Sequence, residues 1–119
     1  MTLKIPEEDG NEYLSAVLKL YLELRETPSR AGPYDRKSAA ELHARGINLV
    51  TVESALLLAS LRRLGRPPDK PPLSPIRSLA YFFPVIQELL DNPVPDDYRD
   101  YLRRKVRLLD TRRRVKKCS

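Results

Sequence analysis

The C-terminal end of the chain carries the residues most able to do chemistry, a dense set of lysines and arginines. Positions 98–119 hold ten of the 22 Lys and Arg residues but only two of the 16 Asp and Glu residues. Cationic side chains neutralise phosphates and release the counterions condensed on nucleic acids, so this segment favours sequence-independent binding to DNA or RNA. The side chains expected to hold backbone phosphates are Arg99, Arg103, Arg104, Arg107, Arg112, Arg113, Arg114, Lys116 and Lys117.

Further side chains bear on the same basic surface. Arg62, Arg63 and Arg66 follow a strongly apolar segment and would extend the surface if that segment ends on the same side of the fold. Tyr98 and Tyr101 would stack on single-stranded bases if they were exposed. Their spacing instead places both rings, with Leu102, Val106 and Leu109, on the predicted buried stripe of the last helix.

Catalysis is not expected from this sequence. The chain has one histidine, His43, and one cysteine, Cys118, so neither a nucleophile with its base nor a cluster of metal ligands can be assembled from them. Neither of the glycine-rich phosphate-binding motifs, GxxxxGK[ST] and GxGxxG, occurs. We therefore predict a non-enzyme that requires no cofactor and no metal.

Cellular context follows from two absences in the sequence. A lone cysteine cannot form an internal disulfide, and no apolar run reaches the roughly 18 residues that a membrane span requires. The first ten residues are polar and acidic, unlike a signal peptide. We expect a cytoplasmic protein that makes no contact with a membrane.

Apolar residues recur at helical spacing along most of the chain, and no alternating run indicates a strand. The predicted fold is an all-α compact bundle of four to five helices with a proline-rich connection and a basic C-terminal helix. We divide the chain into a flexible leader (1–10), a helical domain (11–110) and a basic tail (111–119). The predicted helices cover about 12–24, 33–45 and 52–64, then a segment from Ser74 or Ser78 to Leu90, and then 95–110.

Prolines and glycines set the expected boundaries of these helices. The connection 65–75 contains five prolines and is predicted to be non-helical. Pro33 suits the first turn of the second helix, and Gly46 suits the left-handed residue past its end. Pro84 lies inside the fourth helix, where it predicts a kink or two abutting helical pieces. The third helix is apolar around most of its circumference and is expected to be central.

The segment 39–56 has the outline of a helix-turn-helix motif, in which the second helix enters the major groove. Glu41 and Arg45 occupy places that are normally apolar in that motif, and the second helix has almost no basic or amide side chains before Arg62. Base reading needs such side chains. The favoured interpretation is two helices of a bundle joined by a glycine turn.

The segment from Ser78 to Leu90, which follows the buried third helix and the link rich in arginine and proline, resembles the end of the DnaD-like domain of bacterial and phage replication-initiation proteins. In that family a helical core ends in a tyrosine, followed by an Ile-Leu pair and a tryptophan on one helix; this chain has no tryptophan. Tyr81, Ile86 and Leu89 or Leu90 fill these positions, and the resemblance extends over residues 33–105 in the order of helices. It implies a replication or mobile-element factor.

An alternative function uses the same aromatic segment. Tyr81, Phe82 and Phe83 are either core residues or an interface that docks on a protein partner or on a second copy in a homodimer. In that case the chain is a protein-interaction module or a small subunit of a larger protein or ribonucleoprotein complex. The basic end would then meet an acidic partner surface or merely give solubility.

Overall fold

The computed structural model describes the backbone of residues 6–24, 27–28, 30–67, 69–71 and 73–118, with side chains from 10 to 109 within those ranges. These residues form five α-helices and one 3₁₀ turn, and no strand occurs among them. The elements are α1 (Pro6–Leu22), α2 (Pro33–Ala44), α3 (Leu49–Leu64), the 3₁₀ turn (Leu79–Phe82), α4 (Phe83–Asp91) and α5 (Asp97–Cys118). The predicted all-α bundle is confirmed.

Local backbone chemistry sets the junction between α2 and α3. Pro33 opens α2, and the φ angle of Gly46 after its end is 71°, in the left-handed region that glycine tolerates best. The Asn48 side chain then accepts a hydrogen bond from the Val50 N–H at 2.7 Å and caps the start of α3. The predicted roles of Pro33 and Gly46 are confirmed.

α3 is the central helix, as the sequence predicted. It packs against α1, α4 and α5, and all six residues from 52 to 57 are buried. A helix covered on so many sides cannot lie in a DNA groove. The burial of α3 therefore favours the bundle interpretation of segment 39–56 over a helix-turn-helix.

The region around Pro84 consists of two abutting pieces, the 3₁₀ turn and α4. Pro84 lies in the first turn of α4, where its missing N–H leaves no hydrogen bond unmade. Leu79 begins the 3₁₀ turn and donates its N–H to Oδ1 of the buried Asp35 at 2.9 Å. Asp35 thus fixes this turn against the start of α2.

This arrangement corrects the predicted interface at the aromatic segment. Phe82 is fully buried, and its ring meets that of Tyr21 edge-on with centroids 6.0 Å apart. Phe83 is partly buried against the same core, whereas Tyr81 is exposed. Phe82 is therefore a core residue, and only Tyr81 of the three offers a large exposed ring.

α5 begins two residues after Pro95, with Asp97 and Asp100 in its first turn, where negative charge is favourable. Its backbone remains helical through Cys118, so most of the segment predicted as a basic tail continues this helix. Five predicted phosphate-binding side chains lie outside the described side chains: Arg112, Arg113, Arg114, Lys116 and Lys117.

Candidate nucleic-acid interface

The inner side of α5 is fastened to α3 by one apolar and one ionic anchor. Leu102 is fully buried, and Glu53, the only acidic residue of α3, is 8% exposed. Arg103 Nη2 donates to Glu53 Oε2 at 2.5 Å, and Arg99 Nη1 lies 3.7 Å from Glu53 Oε1. Two arginines of α5 therefore share a single buried carboxylate of α3.

Arg99 and Arg103, which the sequence placed among the phosphate-binding residues, lie against Glu53 in the fold. The hydrogen bond and charge of Glu53 raise the pKa of Arg103, and Asp100 contributes a further favourable interaction. A partly buried guanidinium is costly unless it is paired, and Glu53 is the partner that turns both side chains inward. The first role of Arg99 and Arg103 is to hold α5 against α3.

The outer side of α5 presents a second set of cations. Arg104, Lys105 and Arg107 are all exposed, as the sequence predicted for the two arginines. Lys105 was not among the predicted phosphate-binding residues, although it lies one position after Arg104 in the same turn. Arg104 and Lys105 form the described part of the outer face, which is the surface that can meet a polyanion. Arg107 instead lines the groove between α1, α3 and α5, together with Arg103 and Glu53.

Two apolar side chains share this outer face. Tyr101 is 44% exposed and Leu108 is 55% exposed, seven residues apart and thus on the same side of the helix. Tyr101 therefore does not lie on the buried stripe where its spacing placed it. The rings of Tyr98 and Tyr101 stack with centroids 5.8 Å apart and an interplanar angle of 18°. The Lys105 ammonium lies over the Tyr101 ring, 5.7 Å from its centroid.

The other predicted arginines, Arg62, Arg63 and Arg66, lie around a different cleft. Arg62 donates to both oxygens of Glu88 on α4, at 3.0 and 2.6 Å, and this hydrogen-bonded pair lowers the pKa of Glu88. Arg63 and Arg66 hold the proline-rich connection through its backbone carbonyls.

Arg63 Nη2 donates to the Ser74 carbonyl at 2.7 Å, and its Nη1 donates to the Tyr81 hydroxyl at 3.1 Å. Arg66 Nε donates to the Pro71 carbonyl at 3.2 Å. These bonds tie the connection and the 3₁₀ turn to the end of α3. Arg62 joins α3 to α4 through Glu88, and Glu88 and, to a smaller extent, Tyr98 of α5 raise the pKa of Arg62.

Within the described residues, no group of three or more His, Cys, Asp and Glu side chains could hold a metal ion. None of the helices in the same part of the chain combines the length and the apolar character needed to cross a membrane. Comparison with protein-family models, with curated proteins and with solved structures finds no match for this chain. The functional hypothesis therefore depends on the geometry of α5.

Proposed function

We propose that this chain is an accessory nucleic-acid-binding protein that contacts backbone phosphates with the outer face of α5. The observation that supports the proposal is that the cations of this helix fall into two groups, one paired with Glu53 and one exposed. Arg99 and Arg103 face Glu53, whereas Arg104 and Lys105 are exposed next to a C-terminal segment rich in arginine and lysine. A row of cations on a docked helix suits a phosphate backbone, which is itself a row of regularly spaced charges.

Docking matters because it fixes the cations before they bind. Leu102 and Glu53 hold α5 against the central helix, so little helix ordering remains to be done on binding. Contacts between these cations and backbone phosphates carry no sequence information. We therefore expect binding that depends strongly on salt and weakly on sequence.

The resemblance to the DnaD-like domain extends this proposal to a biological setting. Proteins that act in replication or in the transfer of mobile elements handle both duplex and single-stranded nucleic acid. A small helical domain with one basic helix fits an accessory role there, in which the chain adds backbone affinity to an assembly. This setting rests on the segment from Ser78 to Leu90 and on the order of the helices.

The test is a fluorescence-anisotropy titration of labelled 20-nucleotide single strands and duplexes at two salt concentrations. The double variant Arg104→Glu/Lys105→Glu should bind much more weakly, and its plot of log affinity against log salt should have a slope smaller by about 2, roughly one for each lost phosphate contact. The wild-type chain should lose affinity steeply as salt rises.

A matched control separates a local site from a general charge effect. Arg36→Glu/Lys37→Glu makes the same change in net charge on two exposed residues of α2. It should leave both affinity and salt slope close to the wild type. Equal losses in the two double variants, or wild-type binding that hardly responds to salt, would contradict the proposal.

A further inference from the structure

The exposed ring of Tyr101 sits beside the cations of the outer face, where it contacts Tyr98 and the Lys105 ammonium. The neighbouring residue Leu102, about 100° further round the helix, is the fully buried one, so Tyr101 is not needed to fill the core. A solvent-exposed aromatic ring flanked by arginine and lysine is the usual arrangement in surfaces that bind single-stranded nucleic acid, since every base has a flat face that can stack.

The neighbours of Tyr101 support such a role. The half-buried Tyr98 stacks with Tyr101 and limits rotation of its ring. The Lys105 ammonium occupies the space over the ring at 5.7 Å, held there by a weak cation–π attraction. A long, flexible lysine side chain moves aside at little cost, and its ammonium can then pair with a phosphate beside the stacked base.

From this arrangement we infer that the outer face of α5 is selective for single-stranded nucleic acid, with Tyr101 stacking on a base and Arg104 and Lys105 pairing with the adjacent phosphates. Leu108, about two turns after Tyr101 on the helix, offers an apolar surface to a second base. In a duplex the bases are stacked on one another and present only their edges, so Tyr101 finds no partner there. This inference rests on the proposed function and adds the class of nucleic acid to it.

Charge complementarity selects this occupant over a second copy of the chain. Two copies meeting through residues 101–108 would bring together two sets of arginines and lysines, because this segment contains no acidic residue; the exposed Asp97 and Asp100 precede it on the helix. A single strand supplies phosphates for the cations and flat apolar surfaces for Tyr101 and Leu108.

The experiment compares Tyr101→Ala with the full chain on 20-nucleotide single strands of mixed sequence, in DNA and in RNA form, and on the DNA duplex. Tyr101→Ala should weaken single-strand binding by about 5- to 150-fold, the usual range for one lost base–aromatic stack, and leave duplex binding unchanged. Tyr101→Phe keeps the ring and should bind like the wild type. Tyr101→Leu keeps an apolar side chain without the ring and should behave like Tyr101→Ala, which protects the test against a folding defect of the alanine variant.

Tyr34→Ala is the matched control, because Tyr34 is a 76% exposed tyrosine on α2, away from the cations of α5. It should not change binding to any of the three probes. Retention of full single-strand affinity by Tyr101→Ala and Tyr101→Leu overturns the inference while the salt-dependent binding of the proposed function stands. If the wild-type chain binds no probe at low salt, the proposed function itself fails.

Vesicles of phosphatidylserine and phosphatidylcholine provide the remaining arm, because an anionic lipid surface also attracts a basic helix with exposed apolar side chains. No binding of the wild-type chain to these vesicles at physiological salt is expected. Vesicle binding that Tyr101→Ala abolishes, together with unchanged single-strand affinity, would replace the inferred occupant by a membrane surface.

Discussion

Arg103 of α5 donates a hydrogen bond to Glu53 of α3 at 2.5 Å, and Glu53 is almost completely buried. The carboxylate also lies 3.7 Å from Arg99, so one acidic side chain holds two cations from the most basic helix of the protein. Unlike the exposed ion pairs of the surface, this pair lies where two helices meet, and its loss leaves charges without compensation.

Glu53→Gln should therefore destabilise the fold. The variant keeps the shape of the side chain but removes the charge that faces Arg99 and Arg103. Because both guanidinium groups retain some exposure to water, we expect a loss of roughly 1–3 kcal/mol in the free energy of unfolding, below the cost of breaking a fully buried pair. Urea denaturation followed by circular dichroism measures this change. Glu41→Gln, on the exposed side of α2, is the control, and an equal effect of the two variants would remove Glu53 from this role.

Arg103→Ala and Arg104→Ala should separate stability from binding, although the two residues are adjacent. Arg103→Ala leaves Glu53 with Arg99 alone and should lower the urea midpoint, with little change in the salt slope of binding. Arg104→Ala removes an exposed cation, so it should change stability by less than about 0.5 kcal/mol and reduce the salt slope by about 1. The reverse assignment, with Arg103 governing the slope, would show that the inner arginines also reach phosphate.

The different environments of Arg103 and Arg104 could not be predicted from the sequence. The number of cations in α5 was plain from composition, but the direction of each depends on the partner that α3 supplies. Glu53 was the available signal, since it is a lone acidic residue within an apolar helix, and a carboxylate buried there requires a positive partner. Sequence spacing alone could not say which of ten cations would meet it.

Predictions based on backbone chemistry held more widely. Gly46 and Pro84 act on their own local conformation, so the glycine turn and the break before α4 were predictable without knowledge of the packing. Tyr101 was misplaced because its spacing from Tyr98 fits a buried stripe. The ionic anchor at Glu53 instead rotates α5 so that Arg99 and Arg103 share the inner side with Leu102, and Tyr101 is left outside.

Tyr21 should make the fold sensitive to alkaline pH. Its ring is fully buried, and among the described residues its hydroxyl has no hydrogen-bond partner. Burial, followed by the nearby charge of Asp35, raises the pKa of Tyr21 to about 12. In the unfolded chain the same hydroxyl loses its proton near pH 10. The unfolded state therefore binds fewer protons above that pH, and stability should fall as the pH rises from about 10 to 12.

Tyr21→Phe removes both the unpartnered hydroxyl and its titration. At pH 8 the variant should be as stable as the wild type or more stable, by up to about 1–3 kcal/mol, the cost of burying an unsatisfied polar group. Its advantage should grow between pH 10 and 12. Urea denaturation at pH 8 and pH 11 gives both values, with Tyr34→Phe as the exposed control. A variant that loses stability at pH 8 would indicate that the hydroxyl makes a hydrogen bond in solution.

Asp35 should be the most sensitive polar residue of the fold, because its two oxygens serve different parts of the chain. Oδ2 accepts the Gly32 N–H at 2.9 Å and caps α2, while Oδ1 accepts the Leu79 N–H at 2.9 Å and holds the 3₁₀ turn. Asp35→Ala leaves both donors without this acceptor, and the Leu79 N–H is buried, so we expect a loss of about 2–4 kcal/mol from one lost cap and one unsatisfied group.

The matched variant is Asp69→Ala, which removes an exposed carboxylate from the proline-rich connection and should change stability by less than about 0.5 kcal/mol. Asp35→Asn should fall between the two, because its amide keeps one oxygen acceptor but presents an NH₂ group to the other donor. Removal of the Asp35 charge should also bring the pKa of Tyr21 down. The loss of stability between pH 10 and 12 should therefore be smaller in Asp35→Asn than in the wild type. Equal urea midpoints for Asp35→Ala and Asp69→Ala would mean that water replaces the carboxylate at Leu79, and that the 3₁₀ turn is held by the burial of Leu79 and Phe82 alone.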